Sequence, residues 1–273
     1  MKIGYLGPEG TFSQIALRQY IGNRQDVIPC PCPSIREMLL AVEDGVIDEA
    51  VVPIENSLEG PINVTLDMLA FDRSLKIKAE VVCDITQSLM ARPGTRLADI
   101  KRVISHPQPI GQCGRYLAST LASADITYVN STAEAAKLVF AGEPGLAVIG
   151  SALLAEIYGL ELLAEGIEDS KNNSTRFVVL ATQDAAPTGR DKTSIVFSTA
   201  NRPGNLYRIL DIFSLWDINM SRIESRPTKQ VLGEYVFFID LNGHHLDQDM
   251  AEALRMVQRK TSFYKFLGSY PVA

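Results

Sequence analysis

The chain has no apolar stretch approaching the roughly 18 residues that a membrane-spanning helix requires, so no membrane partner is expected. No basic run offsets its net charge of −6, which argues against nucleic acid as a partner. Cysteine is scarce, with four residues at positions 30, 32, 83 and 113. Cys30 and Cys32 are close, but no second pair or histidine cluster completes a zinc set. Neither a metal site nor a disulfide scaffold is expected. The first strand starts at the amino terminus without the long apolar segment of a secretory signal, and a cytoplasmic location follows as the expectation. The dinucleotide fingerprint is also missing. Gly4-Tyr5-Leu6-Gly7-Pro8-Glu9-Gly10 spaces its glycines by three and encloses a proline, which disfavours a nicotinamide site. There is no fixed-period repeat and no low-complexity tract.

What remains is the composition of an ordinary globular protein, 46% hydrophobic and 21% charged over 273 residues. That length allows one large domain or two smaller ones. Strand-like runs alternate with helical ones over the first two thirds. Strands are expected near 3–6, 49–53, 76–84, 88–91, 103–105, 126–129 and 146–149. Helices are expected near 13–21, 35–43, 111–121 and 132–141. Such alternation predicts a mainly parallel α/β fold. Residues 72–74 and 165–169 read as crossovers between two lobes.

The stretch 184–192 has linker composition, and the pattern changes after it. A strand at 193–199 precedes a helical face of Leu206, Ile209, Leu210, Phe213 and Trp216. Strands at 218–226 and 234–241 flank a turn at 228–233. Asp247 begins a helix to about Lys260, and 263–267 closes with a strand. The order βαββαβ is the ferredoxin-like plan.

Four segments carry candidate chemistry. Val51-Val52-Pro53-Ile54-Glu55-Asn56-Ser57 reads as a buried strand that stops at the proline and delivers a carboxylate, an amide and a hydroxyl. Ligands sit at the carboxyl ends of strands in parallel sheets, although Asn56 or Ser57 would equally serve to cap the next helix. Gly4–Ser13 follows the first strand and places Thr11 and Ser13 at a helix start, a pocket of N–H groups suited to an anion. Ser105-His106-Pro107-Gln108-Pro109-Ile110-Gly111-Gln112-Cys113 again joins a strand to a helix. Here a nucleophile-base pair of His106 with Cys113 or Ser105 competes with carboxylate binding by Ser105 and Gln112. In Asn172-Asn173-Ser174-Thr175-Arg176-Phe177, Thr175 offers a neutral hydroxyl and Arg176 a fork for a carboxylate, or the segment is only a polar loop.

These segments, together with Glu224-Ser225-Arg226-Pro227, occur in order along nearly the whole chain. In that combination the sequence resembles a monofunctional prephenate dehydratase with a C-terminal regulatory ACT domain. The resemblance implies a two-lobed, periplasmic-binding-protein-like catalytic domain over 1–184, with lobes 1–76 plus 166–184 and 77–165, and a ferredoxin-like ACT domain over 193–270. It implies conversion of prephenate to phenylpyruvate, carbon dioxide and water. Aromatisation drives that reaction, so no cofactor is needed. Arogenate dehydratase is the neighbouring alternative. A solute-binding protein of similar two-lobed plan would carry a secretory signal or a DNA-binding module.

Carried onto this chain, Thr175 engages the leaving hydroxyl, with Glu55 and Asn56 beside it in the catalytic group. Glu55 is either a proton source or an acceptor behind the contact residues. Thr11, Ser13, Ser57, Ser105, Gln112 and Arg176 are the substrate-binding candidates. Phenylalanine as effector is expected between paired ACT domains, at Gly204, Asn205 and Leu206 and at Glu224, Ser225, Arg226 and Pro227. Gly204-Asn205-Leu206-Tyr207 departs from the family's usual Gly-Ala-Leu-Val and adds bulk and polarity there. A homodimer or homotetramer is implied.

Overall fold

In the computed structural model the alternating runs become a succession of strands and helices, described for residues 1–72, 74–229, 231 and 233–273. The expected crossover at 72–74 and turn at 228–233 thus include residues outside the described ones: Arg73, Gln230 and Leu232. The chain begins β1 (Lys2–Leu6), α1 (Phe12–Ile21), β2 (Ile28–Cys32), α2 (Ile35–Glu43), β3 (Glu49–Asn56) and β4 (Gly60–Pro61). Next come α3 (Asn63–Asp67) with a π-helical turn at Met68–Asp72, β5 (Lys76–Asp84), β6 (Ser88–Ala91) and β7 (Arg102–Ser105). Then follow α4 (Pro107–Gln112), α5 (Gly114–Thr120), β8 (Asp125–Tyr128), α6 (Thr132–Ala141), β9 (Leu146–Gly150), α7 (Leu153–Tyr158), β10 (Glu161–Glu165) and β11 (Ser174–Ala181). The last third is β12 (Asp191–Ser198), α8 (Asn205–Leu215), β13 (Met220–Pro227), β14 (Tyr235–Asn242), α9 (Gln248–Lys260) and β15 (Phe263–Pro271).

Three sheets result, with strand orders β2-β1-β3-β11-β5, β10-β6-β9-β7-β8 and β13-β14-β12-β15; β4 pairs with β3. The chain divides into a first unit of Met1–Met38, Val51–Ile62 and Val82–Phe177, and a second of Leu39–Ala50, Asn63–Val81 and Val178–Ala273.

In the first unit, alternation along the strands decides which helices cover which face. Leu89, Val103, Ala147 and Ile149 pack with Ile110, Cys113 and Leu117. Their neighbours Met90, Ile104 and Val148 face the other way, onto Ala133, Ala136, Val139 and Leu154. β7 pairs in parallel with both β8 and β9, the arrangement that crossover helices impose.

The second unit contains the βαββαβ element. Ile195, Phe197, Ile239 and Leu241 on one sheet face receive Ile209, Ile212 and Phe213 of α8 and Met250, Leu254 and Val257 of α9. β12 lies antiparallel between β14 and β15. The same unit holds β15 close to β5. Gly268 has φ +139, and a Cβ there would stand 2.3 Å from the Ile77 carbonyl oxygen and 2.8 Å from its nitrogen. Backbone atoms cannot rotate away as a side chain can. Gly268→Ala should therefore cost on the order of 3 kcal/mol. A urea midpoint equal to that of the parent protein would refute this.

Two expectations on element bounds need correction, and one strand was not expected at all. β3 does not stop at Pro53 but runs to Asn56, because proline lacks only its own N–H and its fixed φ is compatible with extended backbone. The single helix expected over 111–121 is two short helices meeting at Cys113, whose N–H bonds the Ile110 carbonyl at 3.2 Å. Ile110, Cys113 and Leu117 still cover the same sheet face, since their spacing of three and four residues is that of one helical face. β2, unforeseen, carries Pro29 and Pro31; it is the terminal strand of its sheet, where missing donors are tolerated.

Candidate active site

A cavity of about 550 Å³ in the first unit gathers residues from the carboxyl ends of several strands. After β1 come Gly7, Gly10 and Thr11, and at the end of β3 come Pro53 and Asn56, with Glu59 just beyond. His106, Gln108 and Gln112 follow β7, Asn130, Ser131 and Thr132 follow β8, and Ser151 follows β9. Thr175 enters from the opposite direction, at the start of β11, and Gln87 from the segment before β6.

Asn56 organises one wall. Its Oδ1 accepts the backbone N–H of Leu58 at 3.0 Å and of Glu59 at 2.9 Å, which fixes the amide orientation. Its Nδ2 therefore donates, to Asn173 Oδ1 at 2.8 Å and to Thr175 Oγ1 at 2.9 Å. With a lone pair of Thr175 so occupied, the hydroxyl proton is directed elsewhere. No acceptor among the described residues takes it. Thr175 is thus oriented as a donor, and it lines the cavity while 8% exposed.

A second wall is a set of amides ordered by one carboxylate. Glu59 Oε1 accepts from Gln108 Nε2 at 2.6 Å and from Gln112 Nε2 at 3.3 Å. Gln112 Oε1 in turn accepts from Gln87 Nε2 at 3.0 Å.

Among the described lining residues Glu59 is the one carboxylate, and none is lysine or arginine. Attraction for an anion comes instead from helix starts, whose first backbone N–H groups have no intrahelical partner. α1 begins after Thr11, and α6 begins at Thr132 after its N-cap Ser131. Ser131 Oγ accepts from Glu134 N at 3.0 Å while the Glu134 side chain accepts from Asn130 N at 3.1 Å, so both bonds tie the incoming chain to the first turn of the helix. The glycine loop before α1 contributes fewer free N–H groups than its sequence promises. Gly7 N–H is taken by the Cys32 carbonyl at 2.9 Å and Gly10 N–H by Gln14 Oε1 at 2.7 Å.

Of the substrate-site candidates, Thr11, Asn56, Gln112 and Thr175 are brought together on the cavity. Glu55 and Arg176, strand neighbours of Asn56 and Thr175, do not line it. Ser13 is buried on α1, away from the lining. Ser57 ties β3 to the loop before β11, donating to Asn172 O at 2.8 Å and accepting Ser174 N–H at 2.9 Å. Ser105 is fully buried, with Oγ donating to Ile149 O at 2.6 Å. Nucleophilic chemistry on the His106 segment is excluded. Cys113 is fully buried, and burial pushes its thiol up to about 12, so no thiolate forms at neutral pH. His106 Nδ1 accepts Gln108 N–H at 3.3 Å, placing the proton of the neutral ring on Nε2.

Gln87, Glu59 and the 130–132 turn were missed as site residues. Hydroxyls opening a helix after a strand were a readable signal for Ser131 and Thr132; for Gln87 and Glu59 there was none.

The effector candidates lie in the second unit. Gly204 caps α8 with φ 79, a left-handed conformation open to glycine. Asn205 and Leu206 line a small cleft of about 110 Å³ with Asn201, Arg202, Glu234 and Phe237. Asn205 Nδ2 donates to Ala200 O at 2.9 Å, and Tyr207 is 68% exposed. Glu224–Pro227 lie on β13, the terminal strand of the β13-β14-β12-β15 sheet. Arg226 Nε donates to Asp67 Oδ1 at 2.8 Å, its Nη1 reaches Asn63, and Lys229 joins Asp67. Burial raises the Asp67 pKa, but the hydrogen bonds and charges of Arg226 and Lys229 outweigh that and hold it below the usual 3.8. A depressed carboxylate stabilises the fold above its ordinary pKa, and that contribution is lost as pH falls below 3.8. Asp67→Asn should therefore flatten the acid limb of the stability curve below about pH 4. An unchanged limb would remove the pair from the account.

Comparison with known proteins agrees with this geometry. A family model described as Prephenate dehydratase matches residues 3–185, and one described as ACT domain matches residues 193–255. The prephenate dehydratase of Mycolicibacterium vanbaalenii is 40% identical over 98% of this chain and 90% of its own. The bifunctional chorismate mutase/prephenate dehydratase of Aquifex aeolicus is 40% identical over all of this chain and 74% of its own. Among solved structures, prephenate dehydratase from Arthrobacter aurescens in complex with L-Phe superposes with a TM-score of 0.90 at 40% identity, covering 100% of this chain and 90% of that one. A structure described as GqqA, a novel type of quorum-quenching acylase, superposes with a TM-score of 0.86 at 30% identity, covering 100% of this chain and 98% of that one. With a dehydratase model over most of its length and relatives of this similarity, the chain belongs to the prephenate dehydratase family and carries an ACT domain after the dehydratase region.

Proposed function

We propose that this protein is a lyase that converts prephenate to phenylpyruvate. The prephenate dianion and one proton give the phenylpyruvate anion, carbon dioxide and water. The ring C–O bond breaks, the ring carboxylate leaves as carbon dioxide, and its bonding pair completes the aromatic ring. The observation that carries the reading is the Asn56–Thr175 pair, which aims a neutral hydroxyl donor into a cavity without a lining cation among the described residues. A donor placed where negative charge grows on the departing oxygen stabilises the transition state. A strong cation on the ring carboxylate would stabilise the ground state and oppose its loss. Helix starts at α1 and α6 and the lining hydroxyls hold the carboxylates instead.

L-phenylalanine bound at the ACT element is the proposed feedback inhibitor, a reading supported by the complex of the Arthrobacter aurescens relative with L-Phe. Asn205 and Tyr207 tune its affinity. The enzyme works as a homodimer or homotetramer in the cytoplasm; no helix among the described residues is long and apolar enough to cross a membrane.

Turnover of purified protein with prephenate and with arogenate, each with and without L-phenylalanine, is the test. Phenylpyruvate from prephenate, suppressed by phenylalanine, is expected. Product from arogenate alone would reassign the substrate, and no product from either would overturn the reading.

A further inference from the structure

The two polar walls of the cavity form one hydrogen-bonded chain. It runs from Thr175 Oγ1 to Asn56 Nδ2, from Asn56 Oδ1 to the Glu59 N–H, from Glu59 Oε1 to Gln112 Nε2, and from Gln112 Oε1 to Gln87 Nε2. All five residues line the cavity. From Glu59 onward each amide orientation is forced by the one before it. Glu59, a carboxylate that only accepts, obliges Gln112 to present its NH₂, so Gln112 turns its oxygen to Gln87. Gln87 must answer with its own NH₂, and its Oε1 is left over. That oxygen is buried and has no hydrogen-bond partner among the described residues, in a side chain only 2% exposed. A buried acceptor without a donor is costly and rare, and it asks for a ligand.

We propose that Gln87 contacts the substrate and that its Oε1 accepts a hydrogen bond from the departing ring hydroxyl. This rests on the dehydratase reading above. At neutral pH prephenate carries two carboxylates, a ketone and one hydroxyl, so the hydroxyl is its one donor. The chain thus presents a donor end, Thr175, and an acceptor end, Gln87, and a hydroxyl is the group that satisfies both. As the oxygen takes up a solvent proton and leaves as water, it gains a second O–H and becomes a stronger donor. The contact to Gln87 then tightens between ground state and transition state, which raises kcat rather than affinity.

The test uses Gln87→Met, similar in length but without the acceptor, and Glu59→Gln, which removes the constraint that orients the amides. Each is assayed with prephenate. Binding is measured with a saturated analogue that keeps both carboxylates but has hydrogen in place of the ring hydroxyl. The expected result is a fall in kcat of about tenfold or more, with KM little changed and analogue affinity equal to that of the parent protein. Equal analogue binding also certifies the fold of each variant. If Gln87→Met fails to fold, Glu59→Gln carries the same prediction alone. Unchanged kcat would overturn the proposal and leave Oε1 as a site for structural water. So would a parallel loss of analogue affinity, which would make Gln87 a scaffold residue. A rise in KM confined to arogenate would also overturn it, assigning the acceptor to the side-chain ammonium. Failure of the parent protein itself to turn over prephenate would strike the functional reading instead, so the two failures are distinguishable.

Discussion

Thr175→Val should lower kcat for prephenate by about a hundredfold or more while leaving KM within a few-fold. Valine keeps the β-branched shape at a strand position that is 8% exposed, so β11 retains its packing. What disappears is the one hydroxyl that Asn56 orients toward the cavity at 2.9 Å. Asn56 Nδ2 keeps its bond to Asn173 at 2.8 Å, so the stability loss stays near about 1–2 kcal/mol. Steady-state kinetics paired with a denaturation curve separate the two effects. A variant with the turnover of the parent protein would remove Thr175 from the chemistry, whatever its stability.

Asn56→Asp should cost a comparable factor, about a hundredfold in kcat, for a different reason. The introduced carboxylate still accepts from the Leu58 and Glu59 N–H groups, so the turn after β3 is held. It cannot donate to Thr175 Oγ1 or to Asn173 Oδ1. The Thr175 hydroxyl then turns to donate to that carboxylate and no longer points its proton at substrate. A protonated acid can donate, so activity should recover in part as pH falls through the pKa of the introduced group. A pH–rate profile parallel to that of the parent protein would refute the orientation argument. The added negative charge should also raise KM for a dianion, and salt should moderate that rise.

Local pattern made much of the architecture legible. The helix at 35–43 and the apolar face of α8 were readable because their packing repeats every three to four residues. The βαββαβ order was readable because turns and linker composition punctuate it. Where the reading failed, tertiary context overrode a local rule. Proline suggested an end at 53, yet β3 continues past it, and β2, which the sequence reading did not include, tolerates two prolines at the margin of a sheet. The run 111–121 reads as one helix, but the structure has two short helices that meet at Cys113.

The site divides in the same way. Thr11, Asn56, Gln112 and Thr175 could be named from sequence because each is a polar group where a strand meets a loop or a helix start, and such junctions expose side chains to ligands. Their roles could not. Asn56 and Thr175 are 119 residues apart, and only folding brings them to 2.9 Å. Glu59 and Gln87 carried no signal, because their importance lies in which lone pair or N–H is left once every neighbour has been satisfied. By itself the sequence determined the family, through motif segments that resemble it in order along the chain, and it determined the order of elements, which short-range periodicity sets, and the residue types offered to a ligand. Only the tertiary structure decided which of those groups face one cavity and which way each hydrogen bond runs, since donor and acceptor assignments depend on partners far apart in the chain.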